Sequence, residues 1–377
     1  MSQFKIDVAR DFVETRAVIK CIGVGGAGGN AINRMAEAGI KGVELIAANS
    51  DAQDLRRSNA EVKIQVGETV TKGLGVGGDP SKGRAAMLES EAQIKEYLHG
   101  ADLVFVTAGM GGGTGTGGAP IVARIAKEMG ALTIGVVTRP FEFEKLNRAT
   151  LADQGIQEMR SNVDTLLVIP NQRLLEIIDA DTTTNDAFRK ADDVLRRAIQ
   201  SISDVITTPG QINMDLNDLR AIMKDAGDAL IGMGESSGRG RALTAAKEAI
   251  HSPLLENVVM DGAKGLIVNI TAKESTFKLA EIEEATALIT GAASQEVKMK
   301  AGYAYDESLE DRIRITVIAT GFPTRRRTLA RLGYKAGPLS PNRRPIDLDP
   351  EPRAAAASDP EDWSKPAFLR LKVRRLK

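Results

Sequence analysis

A single cysteine, Cys21, rules out an intrachain disulfide framework, and its place in a predicted strand reads as a buried, inert thiol. Two isolated histidines, His99 and His251, are too few for a zinc site or a histidine-based triad, so any catalysis falls to carboxylates, backbone groups or a bound metal. No G-x-x-x-x-G-K-[ST] occurs, which removes the lysine of a P-loop. No apolar run reaches the length of a bilayer span. Residues Met1 to Arg16 mix acids and bases without an apolar core, so neither a signal nor a transit peptide is expected and the chain reads as cytoplasmic.

Net charge is also absent, but only as a sum. From Pro323 to Lys377 there are 14 Lys and Arg against 6 Asp and Glu, or +8, which leaves 36 against 44, or −8, for the rest. The same segment holds 8 of the 14 prolines. An acidic body is therefore expected to trail a basic, proline-rich tail that buries little apolar surface and stays disordered.

What is present alternates. Strands are predicted over 17–22, 43–48, 62–66, 103–107, 132–137 and 165–169, with helices over 31–38, 82–98, 121–129 and 144–160 between them. This predicts an α/β fold, a doubly wound and largely parallel sheet that binds ligands at the carboxyl ends of its strands. A long helix from Asn185 to Ser203 reads as a central spine. Helices over 216–223, 242–250 and 282–289 and strands over 266–271 and 313–319 then form a second α/β layer. The expected divisions are a flexible extension 1–16, a nucleotide domain 17–184, the spine 185–208, a second domain 209–322, a disordered linker 323–361 and a tail peptide 362–377.

Three glycine runs fall at the same edge of the predicted sheet: Gly23 to Asn30, Gly73 to Pro80, and Gly109 to Pro120. Glycine alone tolerates positive φ in such turns, and a missing Cβ lets a ligand approach main-chain N–H groups. In the third run Thr114 and Thr116 add hydroxyl donors, Pro120 suits the first turn of the following helix, and the helix N-terminus attracts anions. The first run contains G-x-G-x-x-G, and on that motif alone, with Glu44 or Asp51 as ribose reader, it fits an NAD-dependent oxidoreductase. A dinucleotide fold needs one such loop. Three suggest a triphosphate held by backbone donors, its charge neutralised by Mg²⁺ in place of a lysine.

The run Gly111-Gly-Gly-Thr-Gly-Thr-Gly117 resembles the signature loop of the tubulin and FtsZ superfamily, and Thr116 resembles FtsZ more than tubulin. The resemblance covers about residues 17 to 322 and the tail peptide. It implies that GTP or GDP is bound by Gly25, Gly26, Ala27, Gly28, Gly29 and Asn30 in the first loop, with Asn49 and Asp51 after the second strand. Gly75 and Gly77 would follow from the middle loop, then Gly111, Gly112, Gly113, Thr114, Gly115, Thr116 and Gly117 from the third. Pro140, Glu144 and Arg148 match the family's sugar and phosphate region, although Lys145 stands where the family commonly has glycine, which puts the local backbone in question. Phe188 and Asp192 share one helical face, and taken blind they fit a core ring and a solvated acid. The resemblance makes them the guanine readers: Phe188 stacks, and Asp192 accepts the two N–H groups that adenine does not offer.

Asn213, Asp215 and Asp218 precede a helix and fit capping residues. The same resemblance makes them the acidic loop that completes a neighbour's nucleotide site, with Asp215 and Asp218 orienting the attacking water. Such a split site implies head-to-tail filaments and hydrolysis that depends on assembly, and the resemblance implies a cytoplasmic place at the division site. A monovalent cation beside Mg²⁺ is left open. In the tail, Pro366, Ala367, Phe368, Leu369 and Arg370 resemble the family's docking peptide for membrane-tethering adaptors such as FtsA. No amphipathic anchor supports direct membrane insertion, and no aromatic interleaving supports specific nucleic-acid binding. The alternatives are the NAD-dependent oxidoreductase and a nucleotide-binding structural protein without turnover.

Overall fold

A computed structural model of the chain describes residues 17–176, 181–207, 214–255, 262–294 and 296–322. The expectations for 1–16, Asn213, the linker and the tail peptide lie outside the described residues.

The strands are β1 Ile19–Val24, β2 Val43–Asn49, β3 Val62–Gln65, β4 Leu103–Gly109, β5 Leu132–Arg139, β6 Thr165–Pro170, β7 Gly227–Ser237, β8 Gly265–Ala272, β9 Lys298–Tyr305 and β10 Arg312–Thr320. They form one sheet in the order β3-β2-β1-β4-β5-β6-β7-β10-β8-β9. From β3 to β7 every pairing is parallel, whereas β10 runs antiparallel to both β7 and β8. The expected doubly wound sheet with a second α/β layer is present.

The helices are α1 Gly25–Glu37, α2 Ala52–Arg56, α3 Glu68–Thr71, α4 Pro80–Glu89, α5 Glu91–Leu98 and α6 Thr114–Glu128. They continue as α7 Leu146–Asn162, α8 Asn171–Leu174, α9 Thr184–Thr207, α10 Leu216–Met223, α11 Arg241–Ile250 and α12 Leu279–Gly291. The pleat of β4 shows how the layers arise: Leu103 and Phe105 join the core under α1 and α9, while Val104, Val106 and Ala108 join the core under α4 to α7. Covered on both faces, the strand is a continuous apolar run without alternation. Cys21 lies in the first core, where burial pushes its thiol well above the ordinary range.

Four expectations need correction. The helix over 82–98 is two helices, broken at Ser90, whose hydroxyl accepts the Gly67 N–H at 3.1 Å. The helix after the third glycine run starts at Thr114, so Pro120 sits in its interior and leaves the carbonyl of Thr116 without its usual donor. Strands β7 and β9 were not expected. Three glycines interrupt β7, two of them because α11 lies directly on the strand: a Cβ on Gly232 would meet the Ala249 carbonyl at 2.0 Å, and one on Gly234 the Ala245 carbonyl at 2.1 Å. β9 is a sheet edge whose exposed Lys298 and Lys300 blur its apolar pattern.

Candidate functional site

The first and third glycine runs follow the carboxyl ends of β1 and β4, the middle one follows α3, and the runs touch one another. The first enters α1 directly after β1, with Gly25 at φ 72°. A Cβ there would lie 2.8 Å from the Gly115 nitrogen at the head of α6, so the two helix N-termini approach to a distance that only glycine permits. Between them the middle run closes the third side: Ala52 N–H donates to the Gly73 carbonyl at 3.1 Å, Gly75 N–H to the Ser50 carbonyl at 3.3 Å, and a Cβ on Gly113 would strike Val76 and the Asp79 nitrogen. Ser50 and Thr114 hydroxyls meet at 2.7 Å. Thr116 is buried, and its hydroxyl accepts the Gly111 N–H at 2.9 Å, which shapes the third loop from within.

The other residues expected to bind nucleotide gather at the same edge. Asn49 donates to Asp54 at 2.7 Å at the end of β2, and Asp51 caps α2 by accepting the Gln53 N–H at 2.9 Å. Beyond β5, Glu144 accepts from Arg148 at 2.5 Å and from the Phe141 N–H at 2.9 Å, which fixes a carboxylate with little exposure beside the loop of Pro140. A Cβ on Gly111 would lie 2.7 Å from the Arg148 carbonyl and 3.3 Å from Pro140, so this segment packs on the third glycine run. Lys145 sits at φ 80° and ψ 152°, a region that L side chains avoid and glycine adopts readily.

On α9, which follows β6 at this edge, Phe188 is 38% exposed and Asp192 half-buried one turn on. Among the described residues no hydrogen bond reaches the Asp192 carboxyl. Burial raises its pKa to about 7, against a smaller opposing pull from Arg34 on α1. An acid held in this way gains from any ligand that brings paired N–H donors. The ring of Phe188 meets Phe141 edge-on at 5.4 Å and Phe143 at 6.2 Å. Phe143, 57% exposed and stacked on Phe141, is a ring that sequence reasoning passed over, although its Phe-Glu-Phe spacing places it beside Glu144.

Asp215 and Asp218 are elsewhere. Asp215 caps α10 by accepting the Asp218 N–H at 2.7 Å, as a capping residue does, while Asp218 pairs with Lys300 of β9 at 2.7 Å. Helix α10 is tied to the amino edge of the sheet: Arg220 donates to the Asp102 carbonyl just before β4 at 3.0 Å, and Thr165 at the start of β6 donates to the Met223 carbonyl at 2.5 Å. The seven residues of β4 span about 23 Å between the two edges, and the 24 residues of α9 rise about 36 Å.

The arrangement at the carboxyl edge defines a class: an α/β protein in which three glycine runs and the N-termini of two helices converge, a setting suited to an anion, with an aromatic ring and an unpaired acid set beside it. Comparison with known proteins gives the family. A model described as Tubulin/FtsZ family, GTPase domain, matches residues 18–179, and one described as FtsZ family, C-terminal domain, matches 227–323. The fold superposes on an empty FtsZ dimer from M. jannaschii with TM-score 0.79 and 41% identity, over 82% of this chain and 89% of that one. A point mutant of FtsZ from M. jannaschii gives TM-score 0.79 and 42% identity, over 82% and 92%. CetZ2 from Haloferax volcanii, a GTPγS-bound protofilament, shares the fold at TM-score 0.69 and 19% identity, over 84% and 96%. The chain belongs to the Tubulin/FtsZ family of GTPases. It is thus a tubulin-like GTPase of the FtsZ kind, and the oxidoreductase reading falls even though β3-β2-β1-β4-β5-β6 is also the strand order of dinucleotide-binding sheets.

Proposed function

We propose that this protein forms head-to-tail filaments of the division ring, in which GTP held by the three glycine loops of one copy is hydrolysed on contact with the acidic loop of the next. One observation carries the reading: the cradle and the pair Asp215 and Asp218 stand at opposite edges of one sheet, so a chain cannot bring its own acids to its own phosphates. A second copy stacked on the first can, and the contact is heterologous, which propagates. In this arrangement Phe188 stacks on guanine, Asp192 and Asn30 read its edge, and Glu144 and Arg148 hold the sugar and phosphates. Asp215 and Asp218, with Asn213, orient the attacking water. Mg²⁺, if carried in by the triphosphate, would neutralise phosphate charge that no P-loop lysine is there to meet.

That solved relatives include an FtsZ dimer and a CetZ2 protofilament supports self-association as the mode of action. No helix among the described residues is long and apolar enough to cross a membrane. Attachment at the division site is assigned, on the resemblance of Pro366 to Arg370 to the family's docking peptide, to that tail segment and an adaptor such as FtsA.

The test is GTP turnover per subunit over a wide range of protein concentration, with Mg²⁺ present and ATP as control. A rate near zero below a threshold and rising above it is expected. A rate per subunit independent of concentration confines catalysis to one chain and overturns the shared site.

A further inference from the structure

Lys300 has no role in the hydrolysis proposed above, yet it pairs with one of the two acids on which turnover is proposed to depend. Its ammonium lies 2.7 Å from Asp218, at side-chain exposures of 46% and 36%. The pair joins elements distant in sequence, edge strand β9 and the first turn of α10, at the amino edge of the sheet. Strand alternation sets Lys298 on the same face of β9, so the face beside the acidic loop carries two cations.

The electrostatic problem of a split site gives this pair its meaning. Asp215 and Asp218 must be brought against phosphates that are themselves negative, and two bare carboxylates would oppose the docking on which hydrolysis depends. A cation in contact with Asp218 halves the charge that approaches. Because both groups are partly exposed, the pair holds together too weakly to lock Asp218 away from other partners. Its ammonium lies within one side-chain length of whatever Asp218 touches.

We propose that Lys300 is a positioning and charge-compensating residue of the subunit interface: it orients Asp218 in the free subunit and lowers the repulsion between the acidic loop and the triphosphate of the next copy. The proposal rests on the shared-site reading above. By Coulomb's law at water-like dielectric and about 6 Å, loss of one positive charge opposite one or two phosphate charges weakens docking roughly three- to tenfold. The effect should fade as salt shortens the screening length below the separation.

The experiment uses the full chain as wild type, Lys300→Met, Lys300→Arg and Asp218→Asn, and measures GTP turnover against protein concentration at low and at high potassium chloride. Binding of a fluorescent GTP analogue below the assembly threshold is followed in parallel. Lys300→Met is expected to raise the threshold roughly three- to tenfold at low salt, with the gap closing at high salt, Lys300→Arg restoring wild-type behaviour and analogue binding unchanged. An unaltered threshold in Lys300→Met, a gap indifferent to salt, or an arginine variant no better than methionine overturns the role of Lys300. The shared-site reading fails separately, if Asp218→Asn hydrolyses GTP like the wild type.

Discussion

Asp192→Asn should make the empty protein more stable and the loaded one less discriminating, and the two effects have one cause. The acid is half-buried on α9 with a pKa raised to about 7, burial being the main cause and Arg34 a partial offset. Below about pH 4 the carboxyl is neutral in folded and unfolded chains and contributes nothing. As pH rises from about 4 to 7 the unfolded chain ionises while the folded chain keeps its proton, so stability declines across that window and the full penalty stands above it. At 1.36 kcal/mol per pH unit this amounts to about 4 kcal/mol at pH 8 and about 2 kcal/mol at pH 5. An amide of nearly the same size cannot ionise and escapes that penalty, less the cost of burying its own polar atoms.

The nucleotide-free Asn variant should therefore melt roughly 5–10 °C above wild type at pH 8, with a smaller gain at pH 5. In exchange it loses a charge-assisted pair of hydrogen bonds to guanine, at about 1.5–3 kcal/mol, or roughly 10- to 150-fold in affinity. Inosine triphosphate lacks the exocyclic amine, so the variant should lose less for inosine than for guanosine. Thermal melts at the two pH values and competition between the two nucleotides measure both halves. A variant no more stable than wild type at pH 8, or equally stabilised at both pH values, would refute the desolvation argument. Unchanged preference for guanosine would remove Asp192 from base recognition.

Other substitutions probe the loops around it. Lys145→Gly relieves a φ of 80° and should stabilise the chain by about 1 kcal/mol net of glycine's entropy, read as a shift in denaturation midpoint; a loss of stability would mean that the lysine side chain makes up for its backbone. Asp218→Ala should leave binding of GTP intact and abolish most turnover, measured by analogue binding and phosphate release; lost binding would show that the acid supports the fold of the cradle's own subunit. Removal of residues 362 to 377 should spare assembly in light scattering and abolish adaptor binding, and undiminished adaptor affinity would sink the tail assignment.

The nucleotide edge was legible because its signals are local. Glycine runs, apolar runs and the four-residue spacing of Phe188 and Asp192 all fall within a few residues, and the structure brings them to one edge of the sheet. Where the reading failed, distant partners decided. Helix α6 begins inside a glycine run, against propensity, because Gly115 and Gly117 let its first turns press on Gly109, Val24 and Pro80, where a Cβ on Gly117 would stand 2.0 Å from the Pro80 carbonyl. β7 was hidden by glycines that exist for α11, and Phe143 by a ring contact with Phe188 across 45 positions.

Asp218 shows the deeper limit. In sequence it sits at capping distance from Asp215, and the structure gives the pair that capping geometry, which on its own satisfies a structural reading. Beyond the family resemblance, what favours a catalytic reading is two long-range relations, the placement of α10 at the amino edge and the pairing with Lys300, neither of which leaves a trace near residue 218. Even these leave the site unfinished, since the phosphates it would serve belong, on the proposed reading, to the opposite edge of the sheet. A residue whose partner is another copy of its own chain is illegible in one copy for a physical reason: the free energy that selects it is realised only at the interface. On the proposed reading, the cap and the ion pair are what Asp218 does in the free subunit.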